Sequence, residues 1–216
     1  MAKFDAVYFD KSKKTIERRT VFIVEGLDDA FFLDKILAEA SANSADVGTT
    51  SLDGKDNLEA RLSLFLRGSP VTRGITKNYA LVLDADTDAQ ATARNAQALL
   101  RKLGQPCPSH GNIDGEDVKV GLFVLPSGND DGNLEKLLLS TIGNDQKFIA
   151  VRKFFDDIQA TFSLLDEPDK RLSRIYLDCS PGHHRGAGRA FSSGSFDASH
   201  SVLQPFKDFV LRMVQK

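Results

Sequence analysis

The sequence predicts an α/β protein with a four-stranded parallel sheet, helices on both of its faces and a helical C-terminal extension. From residue 20 to residue 143, apolar runs of strand length alternate with segments of helical periodicity. The strand segments are continuously apolar, which is typical of parallel strands buried on both faces. At 216 residues the chain is long enough for one substantial core.

Each predicted strand is followed by a predicted helix, and the chain divides into three parts. We predict an N-terminal extension at 1–19, a core at 20–143 and a helical C-terminal extension at 144–216. The motif FDAVYF in the first part could form an edge strand. Strands are predicted at 21–26, 46–52, 78–86 and 118–126, and helices at 28–40, 56–68, 87–104 and 133–143, with Asp28 as the N-cap of the first helix.

Composition and charge exclude several classes of protein. The formal net charge is −2, so any nucleic-acid-binding surface must be local. The two cysteines, Cys107 and Cys179, lack metal-ligand spacing and indicate a reducing compartment. No apolar run is long enough to cross a bilayer and no signal-type block follows the start, which predicts a cytoplasmic protein.

Acidic residues follow three of the predicted strands. Because the carboxyl ends of parallel strands lie at one edge of a sheet, these carboxylates are expected to gather there. Crowded carboxylates repel unless a cation compensates, and Mg²⁺ or Mn²⁺ prefers oxygen ligands. The residues are Glu25 and Asp29 after the first strand, Asp84, Asp86 and Asp88 after the third, and Asp130, Asp131 and Glu135 after the fourth.

Other interpretations of these acids stay open. A single aspartate after a strand is usually an N-cap or a loop residue, which applies to Asp28 and Asp88, and Asp130 and Asp131 suit a plain turn. Acids at strand ends also occur in receiver-type phosphoacceptors and phosphatases that use Mg²⁺. A receiver-like domain has no place for the Glu25-Gly26 turn.

Two motifs resemble the Toprim superfamily: VEG at 24–26 and LDAD at 83–86, in the expected order with a strand–helix unit between them. The similarity to OLD-like nucleases is closer, because Asp29 stands four residues after the glutamate and NLEKLLL at 133–139 carries the later acidic motif. Asn133 stands where these proteins often have an aspartate. The tail DKRLSRIYLDCSPG, followed by GSFD, resembles a compact bacterial Toprim-related family without assigned function.

The resemblance implies a Mg²⁺- or Mn²⁺-dependent nuclease that hydrolyses phosphodiester bonds in DNA or RNA. Because some relatives are effectors in anti-phage defence, it also implies a defence role and an ABC- or SMC-type ATPase partner. It implies a catalytic role for Lys170, and for Glu25 as a ligand or general base. The alternative is a non-catalytic metal- or nucleotide-binding module that docks an ATPase. The implied metal ligands are Glu25, Asp29, Asp84, Asp86, Asp88 and Glu135.

Two better-known Toprim activities fit the residues poorly. A topoisomerase needs a nucleophilic tyrosine on a separate domain, whereas Tyr79 lies in a predicted strand, Tyr176 in a predicted helix and Tyr8 in a short extension. A primase needs a zinc module, which two unclustered cysteines cannot supply. Local positive charge for a nucleic acid is predicted at Lys55, Arg171, Arg174, Arg185 and Arg189.

Overall fold

The computed structural model describes residues 6–8, 17–40, 42–43, 45–52, 54–162, 166–180 and 186–215. Within them, six strands form one sheet in the order β1-β3-β2-β4-β6-β5. The pairs are parallel except for β5, which runs antiparallel to β6. The strands are β1 (Ala6–Tyr8), β2 (Thr20–Val24), β3 (Val47–Ser51), β4 (Asn78–Asp84), β5 (Asn112–Asp114) and β6 (Lys119–Leu125).

The four inner strands are those that the sequence predicts, so the α/β class and the parallel core are confirmed. The strand count differs, because β1 and β5 extend the sheet at its two edges. β5 has only three residues and an exposed, half-buried, exposed pattern, so it carries no apolar run to predict it from. The FDAVYF motif supplies β1, which pairs with β3.

Helices cover both faces of the sheet. The helices are α1 (Leu27–Glu39), α2 (Leu58–Arg67), α3 (Ser69–Thr72), α4 (Ala89–Lys102), α5 (Leu134–Ser140), α6 (Gln146–Phe162), α7 (Pro168–Asp178), α8 (Ala187–Ser192) and α9 (Gln204–Val214). In the described part of the chain, none of them has the length and apolar character needed to span a membrane.

Successive strand residues alternate between two buried apolar clusters, one on each face. Val21 and Ile23 of β2 belong to the cluster that contains α2 and α4. Phe22 and Val24 belong to the larger cluster, which contains α1, α5 and the C-terminal helices. The sheet is therefore buried on both sides, as its continuous apolar strands predict.

The predicted C-terminal extension is helical, and its described helices pack into the larger cluster. Helix α9 lies against β6 where Gly121 leaves room, since a Cβ there would come within 2.8 Å of both Phe209 and Met213. The Phe206 ring lies 5.0 Å from that of Phe123 and 5.2 Å from that of Phe32. The C-terminal helices thus share one core with the sheet and with α1.

Two of the tyrosines are packing residues. Tyr79 lies within β4 with no exposed surface, and its hydroxyl donates to Gln105 Oε1 at 3.0 Å. Tyr176 lies within α7 and is 3% exposed. Both positions agree with the sequence prediction that neither side chain serves as a nucleophile.

Candidate metal centre

The turn between β2 and α1 presents two carboxylates. Glu25 follows the last residue of β2, and its carbonyl oxygen accepts hydrogen bonds from Gly54 N and Ser51 Oγ, both at 3.1 Å. Helix α1 begins with Gly26 as its N-cap, and Asp29 Oδ2 accepts the Gly26 N–H at 2.7 Å. These contacts hold the turn against the end of β3 and place Asp29 over the start of its own helix.

Asp84 joins the first and third acidic segments. It is the last residue of β4, and its N–H donates to Glu25 Oε1 at 2.9 Å. Its own Oδ1 accepts the N–H of Leu134, the first residue of α5, at 3.0 Å. The turn after β2, the end of β4 and the start of α5 therefore meet at the carboxyl edge of the parallel strands.

Glu135 lies in the first turn of α5, close enough to Asp29 and Asp84 to raise the pKa of both carboxyls. The helix begins at Asn133, whose Oδ1 accepts the Lys136 N–H at 3.0 Å. Asn133, the residue that departs from the OLD-like pattern, is thus the N-cap of this helix. We call Glu25, Asp29, Asp84 and Glu135 the acidic cluster.

Burial and mutual repulsion make every carboxylate of the acidic cluster harder to ionise. Desolvation, followed by repulsion from Glu25 and Glu135, raises the pKa of Asp29 to about 7. Desolvation and the neighbouring Asp29 raise the pKa of Asp84 well above its ordinary value. Burial likewise raises the pKa values of Glu25 and Glu135. Groups so arranged favour either protonation or a bound cation.

The donor set suits a hard divalent cation, because it consists of carboxylate oxygens at one edge of a sheet. Among the described residues, however, no three histidine, cysteine or acidic side chains converge as a ready-made metal site. Oxygens of Glu25, Asp29 and Asp84 accept backbone N–H groups instead. A metal ion could therefore be held here only after these side chains rotate within a cluster that the fold has already assembled.

Asp86 is paired with a lysine. Its Oδ2 accepts a hydrogen bond at 2.8 Å from Lys55, which lies in the turn after β3. The Lys55 ammonium also donates to the carbonyl oxygen of Asp84 at 3.2 Å and to Thr92 Oγ1 at 3.3 Å. Lys55, predicted to bind nucleic acid, is thus a counter-charge at the acidic edge.

Lys170 is a second lysine close to the acidic cluster. It lies in the first turn of α7, and its ammonium contacts Glu167 Oε1 at 2.5 Å. It is also close enough to Glu25 and Glu135 to favour their ionised forms, which partly opposes the burial that raises their pKa values. The lysine that the resemblance selected thus lies beside the cluster.

Two of the predicted acids cap helices. Asp88 is the N-cap of α4, where its Oδ1 accepts the Ala91 N–H at 2.7 Å. Asp131 Oδ1 accepts the Ala89 N–H at 2.9 Å at the start of the same helix. The placement of Asp88 matches the N-cap alternative that the sequence leaves open. The contact of Asp131 with the start of α4 goes beyond the plain turn that its pattern suggests.

The prediction that Asp28 is the N-cap of α1 is wrong, because the N-cap is Gly26. The Asp28 side chain instead accepts hydrogen bonds from the backbone N–H groups of Ala187 and Arg189, at the start of α8. Asp28 is the second residue of α1 and can cap a different helix only after folding brings that helix alongside. This is why the sequence pattern misassigned it.

The predicted basic residues divide into two groups. Arg171 and Arg174 are exposed on α7, the helix that carries Lys170. The Arg189 guanidinium lies over the ring of Phe31, 4.5 Å from its centroid, and so is partly committed to packing. Arg185 lies outside the described residues.

Sequence reasoning missed two partners of the acidic edge: Glu167, which holds Lys170, and Thr92, which accepts from Lys55. Glu167 adopts a left-handed backbone conformation, with φ 52°, at the N-cap of α7. Nothing in its local pattern marks that role. For Lys55 a signal existed, because the turn after β3 lies at the same sheet edge as the acids.

A scan against protein-family models matches residues 19–215 to "Protein of unknown function (DUF3226)". The chain belongs to the DUF3226 family. The matched range includes the acidic cluster, Lys55 and Lys170, so every site residue described above lies in the part of the chain that the family model covers. A search of curated proteins gives no match.

The fold of this DUF3226 protein is shared with the C-terminal region of the Xanthomonas campestris pv. campestris OLD protein. The TM-score is 0.50 at 14% sequence identity, and the match covers 91% of this chain and 96% of that one. At this identity the likeness shows a common fold. It includes most of the C-terminal helices as well as the sheet, since so much of both chains is covered.

Proposed function

We propose that this DUF3226 protein is a Mg²⁺- or Mn²⁺-dependent nuclease of the Toprim type, hydrolysing phosphodiester bonds in DNA or RNA. The observation that carries the proposal is the hydrogen bond from Asp84 N to Glu25 Oε1, with Asp29 and Glu135 beside it. Together with the hydrogen bond from Leu134 N to Asp84 Oδ1 at 3.0 Å, it brings together three chain segments, each of which carries a carboxylate. They meet at the sheet edge where α/β proteins bind ligands.

Glu25, Asp29, Asp84 and Glu135 would hold the metal. A divalent ion bound there would supply a Lewis acid that stabilises the charge developing on phosphoryl oxygens. The raised pKa values support this assignment, because a carboxylate that repels its neighbours is stabilised by a cation more strongly than an isolated one. The fold it shares with a region of an OLD protein adds support at the level of architecture.

Lys170 and Glu25 would act on the substrate itself. The Lys170 ammonium lies close to Glu135 and Asp84, in reach of a phosphate bound at the acidic edge. Glu25 faces the same edge and could take a proton from an attacking water when it is not a ligand. Arg171 and Arg174, exposed on the same helix as Lys170, would contact flanking phosphates.

A cleavage assay tests the proposal. Purified protein is incubated with supercoiled plasmid, single-stranded DNA and tRNA, with Mg²⁺, with Mn²⁺ or with EDTA. We expect metal-dependent cleavage of at least one substrate, lost in Asp84→Ala and in Lys170→Met. The control is Lys102→Met, which removes a surface lysine paired with Glu59 at 2.6 Å, away from the acidic cluster.

The assay also separates the rival function. Metal binding by calorimetry, with no cleavage of any substrate, would favour a non-catalytic metal- or nucleotide-binding module that docks an ATPase. The observation favouring this rival is that α6 exposes large apolar side chains, Phe154 at 54% and Phe162 at 59%, which suit a docked protein. Cleavage that persists in EDTA and in Asp84→Ala would contradict both.

A further inference from the structure

Lys55 crosses the acidic edge from the turn after β3 to the end of β4. Its ammonium donates to Asp86 Oδ2 at 2.8 Å, to the Asp84 carbonyl at 3.2 Å and to Thr92 Oγ1 at 3.3 Å. An ammonium group has three donors, so each of them has a partner. One side chain therefore links the β3 turn, the β4 loop and helix α4.

Asp86 is presented to Lys55 from a constrained backbone. Its φ of 54° lies in the left-handed region, which aspartate tolerates better than most residues. Its N–H donates to the Gly132 carbonyl at 2.7 Å, which ties the loop after β4 to the loop before α5. The direction of the Asp86 carboxylate is thus limited by the backbone.

The ion pair between Lys55 and Asp86 affects the electrostatic potential at the acidic edge more than it affects the stability of the fold. The Lys55 and Asp86 side chains are 38% and 49% exposed, and exposed pairs contribute little to folding. Lys55 nevertheless lies close enough to Glu25 to act on it electrostatically. A positive charge held beside Glu25 offsets part of the negative potential that attracts a divalent ion.

We propose that Lys55 is a resident counter-cation that competes with a divalent ion for the Asp86 carboxylate and so weakens metal binding at the acidic edge. The inference rests on the proposed metal site and adds a positioning residue to it. In the metal-free protein the ammonium neutralises Asp86 and holds the β4 loop. An ion that recruits Asp86 must displace it.

Binding of Mn²⁺ alone tests this, followed by electron paramagnetic resonance of the free ion. Lys55→Met keeps the side-chain length and removes the charge, and we expect it to tighten Mn²⁺ binding roughly tenfold. Lys55→Arg keeps the charge and should bind as the unmodified protein does. Lys102→Met removes a lysine from a surface pair elsewhere and should change nothing.

A double-mutant cycle isolates the competition for Asp86. In an Asp86→Asn background, Lys55→Met should give a several-fold smaller gain, because only the through-space repulsion between lysine and ion remains. Equal gains in the two backgrounds, or weaker binding by Lys55→Met, would overturn the inference. Melting in EDTA verifies folding of each variant, and Lys55→Gln replaces Lys55→Met in the same comparison if the latter is unfolded.

The same measurements keep this inference separate from the nuclease proposal. If the unmodified protein binds no Mn²⁺, or if Asp84→Ala binds it equally well, the metal site itself is wrong. If Asp84→Ala loses binding while Lys55→Met binds as the unmodified protein does, the site stands and the role of Lys55 is wrong.

Discussion

Asp29 is a buried carboxylate that other carboxylates surround, so both burial and repulsion disfavour its ionised form. It is 8% exposed, faces Glu25 and Glu135, and receives one backbone N–H, from Gly26 at 2.7 Å. That hydrogen bond favours the ionised form, but burial and repulsion outweigh it and raise the pKa to about 7. In the absence of metal, the folded protein therefore binds a proton at Asp29 more tightly than the unfolded chain does.

The sign of the pH dependence follows from this shift. Protonated Asp29 contributes to the free energy of unfolding. This contribution is fully present below the ordinary pKa of 3.8 and is lost as the pH rises through about 7. We expect the metal-free protein to lose on the order of 2–4 kcal/mol of unfolding free energy from this residue across that range. Urea denaturation in EDTA at a series of pH values measures it.

Asp29→Asn is the informative variant, because an amide oxygen can still accept the Gly26 N–H but cannot ionise. Its unfolding free energy should change less with pH between about 4 and 7 than that of the unmodified protein. Asp114→Asn is the matched control, since Asp114 is exposed and also accepts a backbone N–H, from Cys107 at 3.1 Å. Parallel pH profiles for Asp29→Asn and the unmodified protein would contradict the assignment.

Helices α1 and α8 pack so closely that their contact sets the position of the first acidic turn. A Cβ on Gly188 would lie 1.8 Å from the Asp28 carbonyl oxygen, so the two backbones meet without a side chain between them. Asp28 in turn caps the start of α8 through the N–H groups of Ala187 and Arg189. Because Asp29 is the residue after Asp28, the contact between α1 and α8 helps to fix the position of Asp29 in the acidic cluster.

Gly188→Ala should therefore disrupt an element contact as well as a local turn. The methyl group cannot fit against a backbone oxygen, so α8 must move, at a cost of about 2–4 kcal/mol. Thermal unfolding in EDTA measures the loss. Gly143→Ala is the control, because a Cβ there meets nothing within 4 Å. Equal melting temperatures for the two variants would show that α8 is not held in this way.

At the scale of the whole molecule, the acidic cluster exists only in the folded state. Its members come from the turn after β2, the end of β4 and the start of α5, segments that separate when the chain unfolds. A ligand that binds only the folded state raises the free energy of unfolding by about 2.7 kcal/mol at one hundred times its Kd. Binding of the proposed metal would therefore raise the global stability of the protein.

We expect Mn²⁺ to raise the melting temperature in a concentration-dependent way, and Glu135→Gln to reduce that increase. Glutamine keeps the size of the side chain but removes one charged ligand. Glu116→Gln is the matched control, since Glu116 is exposed between β5 and β6. A metal-induced shift that is the same in both variants would remove Glu135 from the metal site.

The sequence alone determined the fold class and the four inner strands, because burial on both faces demands continuous apolar runs such as VFIV. It also selected Glu25, Asp29, Asp84 and Glu135, together with Asp86 and Asp88, since topology sends the ends of parallel strands to one edge. Those inferences need only local pattern and connectivity. The three-residue edge strand β5 was not predicted, because it buries too few side chains to produce an apolar pattern in the sequence.

Only the tertiary structure decided the partners of the polar side chains. Asp28 caps α8, Lys55 pairs with Asp86, and Glu167 holds Lys170. Lys55 and Asp86 are 31 residues apart along the chain, and Asp28 is farther still from α8. A hydrogen bond requires its donor and acceptor to be placed to within a few tenths of an ångström, and packing of the whole chain sets those positions.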